Sequence, residues 1–208
     1  MAWQFNKTIA DTFDQHARQH IPNYDQVIDL SVDLCNQRLN KDASIVEIGC
    51  AVGETVVRLH GLDFINIHAV DASQEMLDNC PKAIATYYCS NTFPNITADA
   101  VLCNWTLHFI KDKVTYLQDI YQHLSKDGFL VLSEKTSTAH TAIEQYHLFK
   151  ERNGVSRENI IAKAESLKGV MFVESVEWYL STLRSIGFKE VYIVNADWCF
   201  TTFVAIKS

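Results

Sequence analysis

Apolar residues along this chain fall in short runs that alternate with amphipathic stretches. Runs bounded by turn residues predict strands at 45–48, 67–70, 85–89, 99–103 and 129–133. Helical spacing predicts helices at 54–60, 74–80, 113–124 and 175–186. The last two runs, 189–195 and 199–207, follow Gly187 with too little chain between them for a helix. They are expected to pair as an antiparallel hairpin. Residues 5–40 read as helical with a break at Ile21-Pro22-Asn23, after which Tyr24, Val27, Ile28, Ser31, Leu34 and Leu39 recur at helical spacing. The pattern predicts an α/β fold, a doubly wound and mostly parallel sheet with helices on both faces. A single domain is expected over 1–208, with a helical N-terminal cap at 1–40. The stretch 136–171 is helical in pattern and too long for an ordinary connection, so it is expected to cover the substrate side.

Composition narrows the class. The chain has 208 residues, 48% of them hydrophobic, enough for one substantial core. A net charge of −7 gives no basic footprint, so nucleic acid is not an expected partner. No N-terminal stretch has the basic-then-apolar form of a signal peptide, and no apolar run approaches the ~20 residues of a membrane span. Six cysteines occur without a C-x-x-C pair, which suits reduced thiols in a cytoplasmic protein. No metal-ligand spacing is present.

The candidate chemistry begins at Glu47-Ile48-Gly49-Cys50-Ala51-Val52-Gly53, where an apolar run ends in a glycine turn before a helix. Glycine permits the tight turn and a close backbone approach to a ligand. Asp71 ends the next apolar run, 22 residues after Gly49, close to the ~20 expected for an acid that binds ribose hydroxyls. Asp71-Ala72-Ser73 also has the form of a helix start. The turn lacks the middle glycine of a dinucleotide fingerprint, and Glu54 puts a negative charge where a phosphate would lie. A ligand without phosphate is expected, and S-adenosylmethionine is such a ligand.

With this loop, Asp71, the run Ala100 to Asn104 and Leu124 to Leu130, the chain resembles the class I S-adenosylmethionine-dependent methyltransferases from about Val46 to its end. The resemblance implies a Rossmann-like fold and places Asn104 beside the methionine part of the cofactor. It is tighter to the carboxy-S-adenosylmethionine synthases, which make the carboxymethyl donor for wobble-uridine modification in bacterial tRNA. The similar stretches are Asp11 to Phe13, Ile21 to Tyr24, Asn104 to Phe109, Leu132-Ser133-Glu134-Lys135, Phe149 to Ser156 and Val170-Met171. This resemblance implies that Tyr24 contacts the cofactor, and it implies a homodimer.

Three positions depart from that family. Where the synthases place an arginine after a lysine to bind the extra carboxylate, this chain has Lys163-Ala164. A desolvated carboxylate left without its cation costs ~3–5 kcal/mol, and Lys163 or Arg157 is the available substitute. Ala72 follows Asp71 in place of asparagine, and Cys89-Ser90 stands where an adenine-side acid is expected. The expected activity is therefore methyl transfer from plain S-adenosylmethionine to the oxygen or nitrogen of a small biosynthetic molecule. The alternative is a carboxy-S-adenosylmethionine synthase, with prephenate supplying the carboxyl group. A cofactor-binding protein without catalysis is the rival of another class.

Methyl transfer needs alignment of acceptor and donor, with at most a base for the acceptor's proton. The candidate catalytic bases are His147 and His108, then His140, with Tyr24 and Tyr146 as neighbours. The expected cofactor-binding set is Tyr24, Glu47, Gly49, Cys50, Ala51, Gly53, Asp71, Ala72, Cys89, Ser90 and Asn104. Trp105, Phe109, Trp178, Trp198 and Phe200 are aromatic candidates for the acceptor wall, Trp105 foremost. Glu134 and Lys135 are expected to end the fifth strand at the same rim, with a surface ion pair of little energetic consequence as the alternative. Cys50, Cys89 and Cys103 read as small core fillers.

Overall fold

Strand β1 (Ile45–Ile48) is buried along its whole length because it has parallel partners on both sides, β2 (Ile67–Asp71) and β4 (Ala98–Asn104). The computed structural model describes residues 7–208. Residues 5 and 6 of the predicted helical segment lie outside the described residues. Strand β3 (Thr86–Cys89) extends the sheet beyond β2. On the other side β4 pairs parallel with β5 (Leu124–Lys135). Antiparallel β7 (Phe200–Ile206) and β6 (Glu190–Asp197) complete the order β3-β2-β1-β4-β5-β7-β6. The terminal hairpin and the mostly parallel sheet agree with the expected fold class.

Strand β5 is longer than its apolar run, since Leu124 already pairs with Ala98 across a bulge. Gly128 makes this possible: a Cβ there would stand 3.0 Å from the carbonyl oxygen of Asp99.

Period-2 alternation divides the sheet between two cores. Val46, Ile48, Val101, Cys103, Leu130 and Leu132 face α6 (Lys113–His123) and α9 (Val176–Ile186). Ile45, Ala69, Ala100, Leu102 and Val131 face α3 (Tyr24–Arg38) and α4 (Glu54–Gly61). The N-terminal helices α1 (Lys7–Ala10) and α2 (Phe13–His20) precede α3, with the break at Ile21 as expected. Asn23 takes a left-handed φ of 55° there. A short α5 (Gln74–Asp78) follows β2. The segment after β5 forms α7 (His140–Arg152) and α8 (Arg157–Ser166).

The chain runs from β1 outward through β2 and β3, then returns to the other side of β1 as β4. Such a reversal opens a crevice at the carboxyl ends of the two central strands. Arg58 of α4 holds the cap beside it. It binds Glu54 and Asp25 at 2.6 Å each and also Asp29, while Arg18 grips Asp25 through two bonds of 2.8 and 2.9 Å.

Candidate active site

The glycine turn closes against β2 and β4. Gly49 has φ 71°, and its N–H donates to the Val70 carbonyl at 2.8 Å. A Cβ on Gly49 would run into the side chain of Thr106. Ala51 also takes a left-handed φ, 48°, and its N–H donates to Asp71 Oδ2 at 2.9 Å. Asp71 Oδ1 accepts from Ser73 N–H at 2.9 Å. Ser73 caps α5 through its own side chain, so Asp71 is free of the capping role that its sequence context suggested. Burial raises its pKa, which a ligand donating two hydroxyls would offset.

A cavity of about 630 Å³ lies over the turn, within the range of small-molecule sites. Of the expected cofactor set, Tyr24, Glu47, Gly49, Cys50, Ala51, Asp71, Ala72, Ser90 and Asn104 line it. Gly53 and Cys89 do not. Gly53 packs behind the turn against Pro81 and Cys80. Cys89 is exposed at the sheet edge rather than filling the core, and its thiol points at the Ala72 carbonyl.

Two buried oxygens face this site without partners, Glu47 Oε2 and Asn104 Oδ1. Glu47 is the last residue but one of β1 and Asn104 ends β4, on either side of the crevice. Burial pushes the Glu47 carboxyl up to about 8. Unpaired buried acceptors are costly, and an ammonium would satisfy both. Tyr24 stacks on Trp105 with ring centroids 4.9 Å apart, an aromatic surface suited to a cation such as a sulfonium. Ammonium, sulfonium and ribose diol are the groups S-adenosylmethionine presents, so these residues fit it.

Glu134 departs most from expectation. Glu134 is no rim ion pair; it is wholly buried. It accepts Leu107 N–H at 2.8 Å, His108 N–H at 2.9 Å and the His108 ring at 2.7 Å. The turn 107–109 folds over the end of β5, and Tyr179 of α9 closes the other side. A carboxylate only accepts, so His108 Nδ1 carries the proton and Nε2 is left as the acceptor. His108 lines the cavity, whereas His147 and His140 do not. His140 is exposed at the start of α7. His147 sits one residue beyond Tyr146, which is inside, and lies 3.8 Å from Glu144.

The side facing the segment 136–171 is cationic. Lys135 and Lys163 line the cavity, with Tyr146, Leu167 and Met171 beside them. Lys150 is buried behind, its ammonium 4.0 Å from the Tyr146 ring centroid. Among the described residues, neither Lys135 nor Lys150 pairs with a carboxylate. Burial lowers all three, and repulsion by neighbouring cations adds to it for Lys150, taken to about 8, and Lys163, taken to about 7. The Lys163 ammonium donates to His16 Nε2. His16 stacks on His20, and burial drives them down to about 4 and about 3, so both rings are neutral. Arg157, the other substitute considered, is occupied by Glu144 and Glu151 outside the cavity. Ala164 is exposed on α8. Of the aromatic candidates, Trp105, Phe109 and Phe200 line the cavity, and Trp178 and Trp198 do not.

The comparisons agree with this geometry. Residues 46–132 match the family model of a methyltransferase domain. Over 99% of the chain and 93% of the relative, it is 31% identical to the carboxy-S-adenosyl-L-methionine synthase of Shewanella sediminis. Its fold is that of the plantazolicin methyltransferase BpumL, solved with a desmethyl plantazolicin analogue and S-adenosylhomocysteine. There the TM-score is 0.72 at 12% identity, covering 97% of this chain and 90% of that one. It is also that of phosphoethanolamine N-methyltransferase 2 of Haemonchus contortus, solved with S-adenosyl-L-methionine. That likeness has a TM-score of 0.67 at 14% identity and covers 98% of this chain and 58% of that one. The protein is an S-adenosylmethionine-dependent enzyme with S-adenosylmethionine as cofactor. By its full-length match, the chain belongs to the carboxy-S-adenosyl-L-methionine synthase family within the S-adenosylmethionine-dependent methyltransferases.

Proposed function

We propose that the protein transfers a methyl group from S-adenosylmethionine to a small acceptor that carries a carboxylate or a similar anion. One observation carries this reading: a single cavity joins the glycine turn and its unpaired oxygens to Lys135 and Lys163. Buried cations that repel one another are favourable only when an anion joins them. On this reading Asp71 holds the ribose, and Glu47 and Asn104 hold the ammonium of the cofactor. Cys50, Ala51, Ala72, Ser90 and Tyr24 form the rest of the cradle. The cofactor supplies an activated methyl on sulfur. The lysines orient the acceptor for in-line displacement, where proximity carries much of the rate. His108 Nε2 takes the acceptor's proton, and Glu134 holds the ring in the tautomer that allows it. The segment 136–171 is the acceptor side of the enzyme. Cytoplasmic location and a homodimer are part of the proposal, the latter on the family resemblance; light scattering of the pure protein tests it.

The second reading, carboxy-S-adenosylmethionine synthesis, is favoured by the relatives and by Lys163. Loss of the arginine at 164 argues against a carboxylated ligand only if no other cation takes its place, and the Lys163 ammonium lies in the wall. Mass spectrometry of the small molecule released from the purified protein separates the readings. Plain S-adenosylmethionine or S-adenosylhomocysteine is expected. A carboxylated cofactor, or its formation when prephenate is added, would replace the first reading with the second. Lys163→Met is expected to weaken binding of carboxylate ligands, a carboxylated cofactor included, while leaving affinity for plain S-adenosylmethionine within twofold.

A further inference from the structure

Behind the glycine turn, two cysteines converge on one carbonyl. The Cys80 thiol donates to the Ala51 oxygen at 3.2 Å, and the Cys50 sulfur lies 4.0 Å from the same oxygen. Both are buried in the same core cluster. Cys50 belongs to the turn and lines the cavity. Cys80 follows α5 and packs against Gly53 and the turn from behind. We propose that Cys50 and Cys80 form a dithiol–disulfide couple whose closure shuts the cofactor cradle.

The cavity brings a small oxidant such as hydrogen peroxide to Cys50, which lines it, with Cys80 behind the turn. Hydrogen bonding from Cys50 and the charge of Lys82 pull the Cys80 thiol below its ordinary range, and the thiolate is the reactive form. Its sulfur attacks one peroxide oxygen; an S–O bond forms, the O–O bond breaks, and hydroxide leaves as water after taking a proton. The Cys50 thiol then attacks the sulfenic sulfur. An S–S bond forms, the S–O bond breaks, and a second water leaves with the thiol proton. Two thiols are oxidised and one peroxide is reduced to two waters.

The consequence follows from what the turn carries. The Ala51 carbonyl loses its Cys80 thiol donor when the sulfurs join, and Cys50 is drawn back toward α5. The next peptide holds Ala51 at a left-handed φ and gives Asp71 the amide that positions it. Retracting Cys50 displaces that amide and the Cys50 wall together. A bound cofactor covers Cys50 and slows the reaction.

Trypsin separates the two thiols, because residues 42–58 hold only Cys50 and residues 59–82 hold only Cys80. After peroxide and alkylation, a non-reduced digest of the wild-type protein is expected to contain these two peptides cross-linked. S-adenosylmethionine should slow their appearance at least fivefold. Calorimetric affinity for S-adenosylmethionine is expected to fall at least tenfold on oxidation and to return with dithiothreitol. Cys80→Ser should hold its affinity through the same treatment, with Cys80→Ala as the second variant if serine disturbs folding. Absence of the cross-linked pair overturns the couple. A complete cross-link with unchanged affinity overturns its effect on the cradle. The inference rests on the turn being the cradle, and a reduced protein that binds no S-adenosylmethionine refutes that premise instead, since the peptide map reads the disulfide alone.

Discussion

Glu47 offers the sharpest test of the site, because its burial sets stability and cofactor binding against each other. Its carboxyl is lifted from an ordinary 4.5 to about 8 by burial, with Oε2 left unpartnered. The folded state therefore holds a proton that the unfolded chain releases above pH 4.5. Stability from this group is present in full below pH about 4.5 and is lost as pH rises through about 8. At 1.36 kcal/mol per unit, the shift corresponds to roughly 5 kcal/mol between the two limits, an upper value because water entering the open cavity reduces it. Glu47→Gln keeps the shape and removes the ionisation. Without ligand, the variant is expected to match the wild type near pH 5 and to exceed it by about 2–4 kcal/mol at pH 8.5. Urea unfolding at several pH values measures this. Cofactor binding should move the other way, weakening about tenfold or more in the variant, since the cofactor's ammonium loses its carboxylate partner. Parallel stability curves for the two proteins from pH 5 to 8.5 would refute the assignment of a buried, proton-bearing Glu47.

Asp71→Ala is expected to weaken S-adenosylmethionine binding by about 1–3 kcal/mol, the cost of charged hydrogen bonds to ribose; calorimetry with unchanged affinity would exclude the ribose role. Gly49→Ala forces a Cβ into Thr106 at a left-handed φ, so it should abolish cofactor binding and lower the melting temperature by several degrees, read by scanning fluorimetry. Arg58→Ala removes the centre of the network that ties α3 to α4. Because these groups are partly exposed, a loss of only about 1–2 kcal/mol is expected in urea unfolding. Binding of a dicarboxylate such as malonate should weaken as pH rises through about 7, where Lys163 loses its charge, and Lys163→Met should remove that pH dependence.

The sheet was readable because its information is local. Ile45 to Ile48 and Ala100 to Cys103 announce buried parallel strands by composition alone, and Gly49 and Asp71 mark the strand ends that border the cavity. Glu134 was misplaced because its burial depends on contacts 26 and 45 residues away, with the turn 107–109 and with Tyr179. A strand-end acid followed by lysine looks the same whether or not such a cover exists. His147 and Tyr146 are adjacent on a helix, about 100° apart in direction, so a short helical pattern with apolar residues on several sides could not say which one faces inward. The lysines at 135, 150 and 163 come from a strand and two helices. No period links them, and only the folded segment 136–171 shows that they converge.

These placements give the cavity a direction. On one side stand Asp71, Glu47 and Asn104, acceptors that lack donors or are raised by burial. On the other stand Lys135 and Lys163, with Lys150 behind them, all depressed by burial and the last two also by neighbouring cations. On the proposed reading S-adenosylmethionine, cationic at its ammonium and its sulfonium, is stabilised on the first side and repelled from the second. An anionic acceptor has the opposite preference, and Coulomb terms of this kind are several times stronger in a half-buried cleft than in water. On that reading the two ligands sort themselves into the order that puts the acceptor next to the donor's sulfur, before any side chain moves. Binding of either ligand should also strengthen the other, since each neutralises the charge that repels it, and a cofactor affinity indifferent to bound dicarboxylate would contradict that coupling.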